Sequence, residues 1–486
     1  MNRLHKDLNL LVDRVEGWDH ARASADPYRQ AFHLMPPCGW MNDPNGLCWY
    51  KGQYHVCYQY SPFNVSGGLG FWGHWSSPDL LHWTQQPVLL CPDQPWDLHG
   101  VYSGSALVED DTMYLFYTGN VRHLGDYDYI NEGRGSNTAL GISRDGIHLD
   151  TKALLLENKD YPPEISNHVR DPKVWKQDGE YYMVLGARTR DGRGEVLVYR
   201  SDDLRRWEFL NVITTPEPFG YMWECPDLFQ LDGQYVLAVS PQGIEPYGHI
   251  GQNAYSCGYF PLYGDFRGSY TLGEYQELDS GFDYYAQQSF TAPDGRRIAF
   301  GWLAMPDEGY GTPTVAFGWQ HCLSVPRELH WANGRLTAQP VKELEQLREN
   351  ARAFSFADTV WQALGTTAEL ELENQGDRLT LELEGAASVC WEDGLLTFSL
   401  DQSCGCGRTV RSAEVCELRS LRLLVDHSSL ELFLNGGEQV LSARFYPKGA
   451  CTLRLNGTGN AKLYDLRSME MRTIQEAAAR KTNATL

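Results

Sequence analysis

KQDGEYYMVLG, residues 176–186, is a short strand that turns on Asp178-Gly179 into a second, aromatic-rich strand. An Asp-Gly pair between two strand-like runs is a hairpin signal, because a tight turn needs residues that tolerate positive φ. The pattern recurs as YKGQYHVCYQY at 50–60, EDDTMYLFYTG at 109–119, QLDGQYVLAVS at 230–240 and APDGRRIAFGW at 292–302. The turns fall near Gly52, Asp111, Gly179, Gly233 and Gly295, at separations of 59, 68, 54 and 62 residues. Each interval has room for about four short strands, and Ser-x-Asp-Leu-x-x-Trp edges recur at 77–83 and 201–207. Five such units predict an all-β chain that begins as a five-bladed β-propeller.

Working outward, VKELEQLRENARAF at 341–354 reads as a short charged helical linker. Beyond it RLTLELEG, LLTFSL and LRLLVDHSSLELFL alternate apolar and polar residues, the mark of a β-sandwich. The first twenty residues have amphipathic helical spacing without the continuous apolar run of an export signal. The expected division is a helical extension over 1–30, the propeller over 31–338, a linker over 339–353, the sandwich over 354–472 and a tail over 473–486.

Composition narrows the function. A net charge of −22 disfavours nucleic acid, whose phosphates demand a basic footprint. No run approaches the eighteen apolar residues of a membrane span. With 15 Trp, 27 Tyr and 18 Phe, the chain has the flat apolar faces on which sugar rings lie. Twelve cysteines without an export signal predict free thiols and a cytoplasmic location. Cys404 and Cys406 lack the second ligand pair of a structural zinc site, so neither metal nor cofactor is expected. The sequons at Asn64, Asn456 and Asn483 are read as unmodified. The expected partner is a small sugar, with monomer and homodimer both open.

Polar residues recur eight or nine places before each turn: Asp43, Ser103, Asp171, Glu224 and, in the last unit, Ala286. First strands line a propeller channel, so this common phase predicts that carboxylates from three units meet on the axis. In WMNDPNG, 40–46, Asp43 precedes Pro44 and is flanked by Asn42 and Asn45, a setting for an ionised nucleophile. In YMWECPDLF, Glu224 follows Trp223, and an apolar setting predicts a raised pKa suited to a general acid. Asp171 follows Arg170, which predicts a charged group that grips sugar hydroxyls. One ionised and one protonated carboxyl is the retaining glycosidase arrangement. Asp426, His427 and Ser428 are neighbours in a strand-like run, not a triad, because triad members converge in space. His33 and His74 are expected to make structural hydrogen bonds.

WMNDPNG, YQYSPF, FWGHWSSPDLLHW, YSGS, RDP and ECPDLF, in this order, resemble the motif set of glycoside hydrolase family 32. The resemblance runs from His33 to VDHSSLELFLN at 425–435, and FGYMWECPDLF is most similar to bacterial members acting on sucrose 6-phosphate. It implies retaining cleavage of terminal β-D-fructofuranosides, with Asp43 as nucleophile, Glu224 as acid/base and Asp171 as transition-state stabiliser. Asn42, Gln59, Tyr102, Ser103, Arg170, Tyr285 and Trp302 would line the fructosyl pocket. Members often carry Trp where Gly67 stands and Phe where Tyr102 stands, so the aromatic wall at Gly67 must come from elsewhere or the site is more open. The rival readings are an exo-acting fructan hydrolase, a pentose-releasing five-bladed hydrolase that fits the motifs poorly, and an inactive fructoside-binding propeller.

A phosphorylated leaving sugar would reach the pocket rim. The loops joining the second and third strands of the second and third units carry Arg122, His123 and Arg134, and Arg188, Arg190 and Arg193. Arginine suits phosphate through its planar fork of donors. Arg188 and Arg190 are the first expectation, Arg122 and His123 the second.

Overall fold

The computed structural model describes residues 2–307 and 309–476. The tail expected over 473–486 therefore lies mostly outside the described residues, as does the sequon at Asn483.

Among the described residues the chain is all-β apart from one long helix, Arg3–Ser24, short 3-10 turns and the helical residues 474–476. The helix starts where the Asn2 side chain accepts from the His5 backbone N–H. The hairpin reading holds at the level of backbone angles. Lys51 and Gly52, Asp110 and Asp111, Asp178 and Gly179, and Asp232 and Gly233 all have positive φ, and each pair closes a two-residue turn. At Gly295 the loop is longer, from Thr291 to Arg297.

These hairpins build a propeller. Four sheets are uninterrupted runs of consecutive strands, starting at Gly39–Tyr50, Val101–Glu109, Ile165–Gln177 and Met222–Leu231. Four regular blades stand against the five expected. The sheet that begins at Tyr285–Thr291 breaks the pattern after its second strand, Arg297–Trp302. The Gly- and Pro-rich stretch that follows carries Trp319–Gln320 away to pair in parallel with Gly39 and Trp40. Only then does the chain return through Arg327–Ala332 and Arg335–Pro340.

The linker is helical only as a 3-10 turn over Lys342–Leu347; from Arg348 the chain is already strand. The C-terminal sheets form a sandwich-like unit in which the long strand Ala368–Leu383 pairs with Ala387–Glu392, Ser420–Asp426 and Thr452–Leu466. Leu370, Leu381, Phe398, Leu432 and Leu463 fill its core. After the sandwich, Glu470–Arg472 returns to the first propeller sheet and pairs in parallel with His82, Trp83 and Thr84. The expected division over 354–472 places these residues in the sandwich; they pair with the propeller instead.

Asp426, His427 and Ser428 clamp the two units together. The Asp426 carboxylate accepts from the Ala31 and Phe32 amides at 2.8 and 3.0 Å and lies 2.7 Å from His33 Nδ1. His427 Nδ1 lies 2.6 Å from the Arg29 carbonyl, and the Ser428 hydroxyl donates to that of Tyr28.

Candidate active site

A strand alternates its side chains, so a carboxylate can face the axis only where the backbone lets it. Each inner strand solves this with a break in register at the same depth. The breaks fall between Met41 and Pro44, Tyr102 and Gly104, Arg170 and Lys173, Glu224 and Asp227, and Tyr285 and Gln288. Bulges of this kind re-aim side chains. Asp171, Cys225 and Ala286 take left-handed φ of 63°, 48° and 53° at this point. The polar residues therefore sit in bulges within strands and do not cap turns on the rim.

The bulges correct the phase argument by one residue. Ser103, Asp171, Cys225 and Ala286 directly follow the last paired residue of their breaks and Asp43 stands one place further on, while Glu224 is itself a last paired residue, in the slot of Tyr102, Arg170 and Tyr285. The carboxylates still meet. Asp43 accepts from the Ser103 hydroxyl at 2.5 Å and from Asn42 Nδ2 at 3.1 Å. Cys225 spans two of the acids: its amide donates to Asp171 at 2.9 Å and its thiol to Asp43 at 3.6 Å. Asn45 ties adjacent sheets by accepting from the Gly104 amide at 3.0 Å.

Glu224 is not in the apolar setting expected from Trp223. Alternation turns Trp223 away, fully buried, to stack on Phe260 at 5.4 Å. Glu224 instead accepts from Arg170 Nε and Nη2 at 2.9 and 2.8 Å, and from Gln242 Nε2 and the Tyr285 hydroxyl, both at 2.7 Å. Arg170 thus grips Glu224 and not its neighbour Asp171. Burial raises the Asp171 carboxyl; Arg170 opposes this, and the charges of Glu224 and Asp43 reinforce it. Burial also raises Asp43, against the bonds from Ser103 and Asn42. Neither follows the expectation of a carboxyl held readily ionised.

The remaining expected wall residues surround this cluster or brace it. Gln59 donates to the Val101 carbonyl at 3.1 Å, and the Tyr102 hydroxyl accepts from Asn120 at 3.2 Å. Trp302 packs 5.8 Å from Trp40. Gly67 has φ of +83°, and a side chain there would meet the Trp40 ring at 3.8 Å, so Trp40 supplies the aromatic surface at this place. Sequence reasoning missed Cys225, Gln242, Ser240 and Thr118. Ser240 and Thr118 stand opposite Glu224 and Tyr102 in the pairing, and register is the signal that would have found them.

His74 pairs with His55 at 2.9 Å, Nε2 to Nδ1, away from the acids. Among the described residues no cluster of His, Cys, Asp and Glu could hold a metal ion.

Comparison with known proteins agrees with this geometry. The profile of the Glycosyl hydrolases family 32 N-terminal domain matches residues 33–340, and that of the family 32 C-terminal domain matches 343–470. The chain is 39% identical over 458 residues to the sucrose-6-phosphate hydrolase of Bacillus subtilis strain 168, covering 91% of this chain and 94% of that one. It superposes on the sucrose-6-phosphate hydrolase of Lactobacillus gasseri with a TM-score of 0.86 at 29% identity, over 94% and 97% of the two chains. The Bombyx mori β-fructofuranosidase gives 0.84 at 32% identity over 96% and 99%, and a mutant of it has been solved with sucrose.

Proposed function

The chain belongs to glycoside hydrolase family 32, and on that premise we propose that Asp43, Glu224 and Asp171 carry a double displacement at a terminal β-D-fructofuranosyl unit. The protein is a glycoside hydrolase of the β-fructofuranosidase type, acting on sucrose 6-phosphate or sucrose. The observation that carries the assignment of roles is the contact set through Cys225 and Ser103, which gathers acids from three separate inner strands.

In this reading the Asp43 carboxylate attacks the anomeric carbon while Glu224 gives a proton to the departing oxygen. The bond to the leaving sugar breaks and an ester to Asp43 forms. Glu224 then takes a proton from water, which attacks the same carbon and releases fructose with its configuration retained. Arg170, Tyr285 and Gln242 hold the Glu224 carboxyl in position for both transfers. Asp171, fixed by the Cys225 amide, faces the ring as positive charge develops. Asn42, Gln59, Tyr102, Ser103 and Trp302 complete the fructosyl wall, and Trp40 replaces the aromatic absent at Gly67.

The interrupted sheet closes the ring as a fifth blade in this reading. Support comes from cyclic contact among the inner strands, with Tyr285–Thr291 touching both Met222–Leu231 and Gly39–Tyr50. The twelve free cysteines favour the cytoplasm.

The test is chemical. A slow fructoside quenched by rapid denaturation leaves a fructosyl adduct on the peptide Trp40–Gly46, and Glu224→Gln is less impaired on an activated aryl fructoside than on sucrose. Product of inverted configuration, or equal impairment on both substrates, overturns the assignment.

A further inference from the structure

Close to Arg170 and Glu224 lies positive charge that the protein itself leaves without an ion pair among the described residues. Arg122 and Arg134 stand directly opposite one another across neighbouring strands, a like-charge pair that destabilises a sheet. Among the described residues neither they nor Arg188 has an ion pair, and the Nε atoms of Arg134 and Arg188 are buried without a partner. Aromatic faces hold two of the three: Arg188 lies 4.7 Å over the Tyr221 ring and Arg122 5.6 Å over that of Tyr129. Such stacking fixes a guanidinium while its in-plane donors stay free.

A chain of contacts connects this group to the acid. The Tyr129 carbonyl lies 3.1 Å from His168 Nε2, His168 Nδ1 lies 3.0 Å from Arg170 Nη1, and Arg170 binds Glu224. Burial, then the charges of Arg170 and Arg134, lowers His168 to about 3. Burial, then Arg170, lowers Arg134 to about 10. The other candidates are occupied or exposed. Arg190 Nε donates to the Pro163 carbonyl at 3.0 Å, and Arg193 fastens Thr214 and the Pro216 carbonyl at 3.1 Å each. His123 is exposed, and its carbonyl accepts from the Tyr129 hydroxyl.

We infer that Arg134, flanked by Arg122 and Arg188, forms a phosphate subsite that receives the phosphoryl group of a phosphorylated leaving sugar. This rests on the fructosidase reading and deepens it. A phosphate dianion would relieve the Arg122–Arg134 repulsion and give the orphaned Nε donors their acceptors, while Glu224 protonates the linkage beside it. Arg190, an expected phosphate ligand, is instead a fastener of its loop.

The experiment measures kcat/KM on sucrose 6-phosphate and on sucrose for the wild type, Arg134→Gln, Arg122→Gln and Arg188→Gln, with inhibition of sucrose cleavage by glucose 6-phosphate and by glucose. The expected result is a loss of tenfold or more on the phosphorylated substrate for Arg134→Gln and of about threefold or more for the other two. Sucrose cleavage stays within about twofold, and only glucose 6-phosphate loses potency. If Arg134→Gln does not fold, the exposed Arg122 and half-buried Arg188 carry the test. Equal losses on both substrates, or no loss on either, overturn the subsite. A wild type that cleaves both substrates equally well overturns the subsite but leaves the fructosidase reading standing. Cleavage of neither overturns that reading too.

Discussion

At the seam between propeller and sandwich, buried acids meet buried bases. Arg327 binds Glu431 at 2.6 Å and Asp279 at 3.0 Å, His33 bridges Asp426 and Glu431, and Arg408 pairs with Asp283. In the axial pocket, among the described residues, only Glu224 of the three acids has a cation in contact, Arg170. For Asp426 and Glu431 the consequence is opposite, whereas burial keeps Asp279 raised even beside Arg327. Burial would raise Asp426 and Glu431, but His33 and Arg327 bring both below the usual carboxylate range. Asp43 and Asp171 stay above it. Charge matched inside the fold serves to hold two units together. Charge left unmatched in a concave, partly open place is tolerated where it does chemistry.

The largest effect that separates the two clusters is on turnover. Asp43→Asn should lower kcat by about a thousandfold or more, with near-native circular dichroism and denaturant midpoint. A comparable loss of stability would mean that Asp43 belongs with the seam acids.

Arg327→Met should do the reverse. Arg327 is fully buried, and its removal leaves Glu431 and Asp279 without their cation. Breaking one side of such a pair costs about 3–5 kcal/mol, readable by urea unfolding, while the molecules that remain folded keep their kcat. The seam also has a pH signature. His33 has a raised native pKa, so its contribution is full below about pH 6.5 and fades as pH rises through the native value. Asp426 and Glu431 are lowered, so theirs is full above about pH 4 and fades as pH falls. Arg327→Met should weaken the acid limb. A midpoint shift under about 1 kcal/mol would reduce the seam to the standing of a surface pair.

Much of the pocket was legible because turn chemistry and strand alternation are local. Asp178-Gly179 and Asp232-Gly233 mark their hairpins without reference to anything distant, and counting back from them reaches the acids. What counting cannot supply is a bulge. The bulge puts Cys225, and not Glu224, in the slot of Asp171, and leaves Glu224 in the slot of Arg170, which grips it. The seam was illegible for a different reason: His33 and Asp426 are 393 residues apart, and nothing in either segment names the other. The break after Trp302 and the return of Glu470 depend on which sheet edge lies free, a property of the assembled fold.

A smaller effect sharpens the pocket side. Asp171→Asn should abolish most activity yet stabilise the fold by roughly 1–3 kcal/mol at pH 8. The Asp171 native pKa, about 7, lies above its unfolded value, so its penalty is absent below about pH 4 and grows as pH rises through the native value. The stability gain should therefore vanish on acidification. Asn can still accept from the Cys225 amide. A variant less stable than wild type at pH 8 would show that Asp171 is held by compensation like a seam acid.

Glu16 tests whether unmatched charge always marks a site. It lies on the N-terminal helix, 3% exposed, and accepts from Tyr60 at 3.0 Å and from Gln85 at 2.8 Å, with no cation in contact among the described residues. Burial raises its carboxyl to about 7, against those two bonds. Unlike the pocket acids it faces no opening; it is pressed between helix and first sheet. Glu16→Gln should therefore leave kcat unchanged and stabilise the fold above pH 7, by about 1 kcal/mol once the amide has found partners. Its oxygen can take the Gln85 donor, and its NH2 can donate to Tyr60, whose own proton then turns to the Cys38 sulfur 3.4 Å away. The raised native pKa fixes the direction: wild type is penalised as pH rises through about 7, and the two proteins converge below about pH 4. Urea midpoints at pH 5 and pH 8 measure it. A Glu16→Gln protein that loses activity at unchanged stability would place a functional acid outside the pocket, and the contrast between matched and unmatched charge would no longer locate the chemistry.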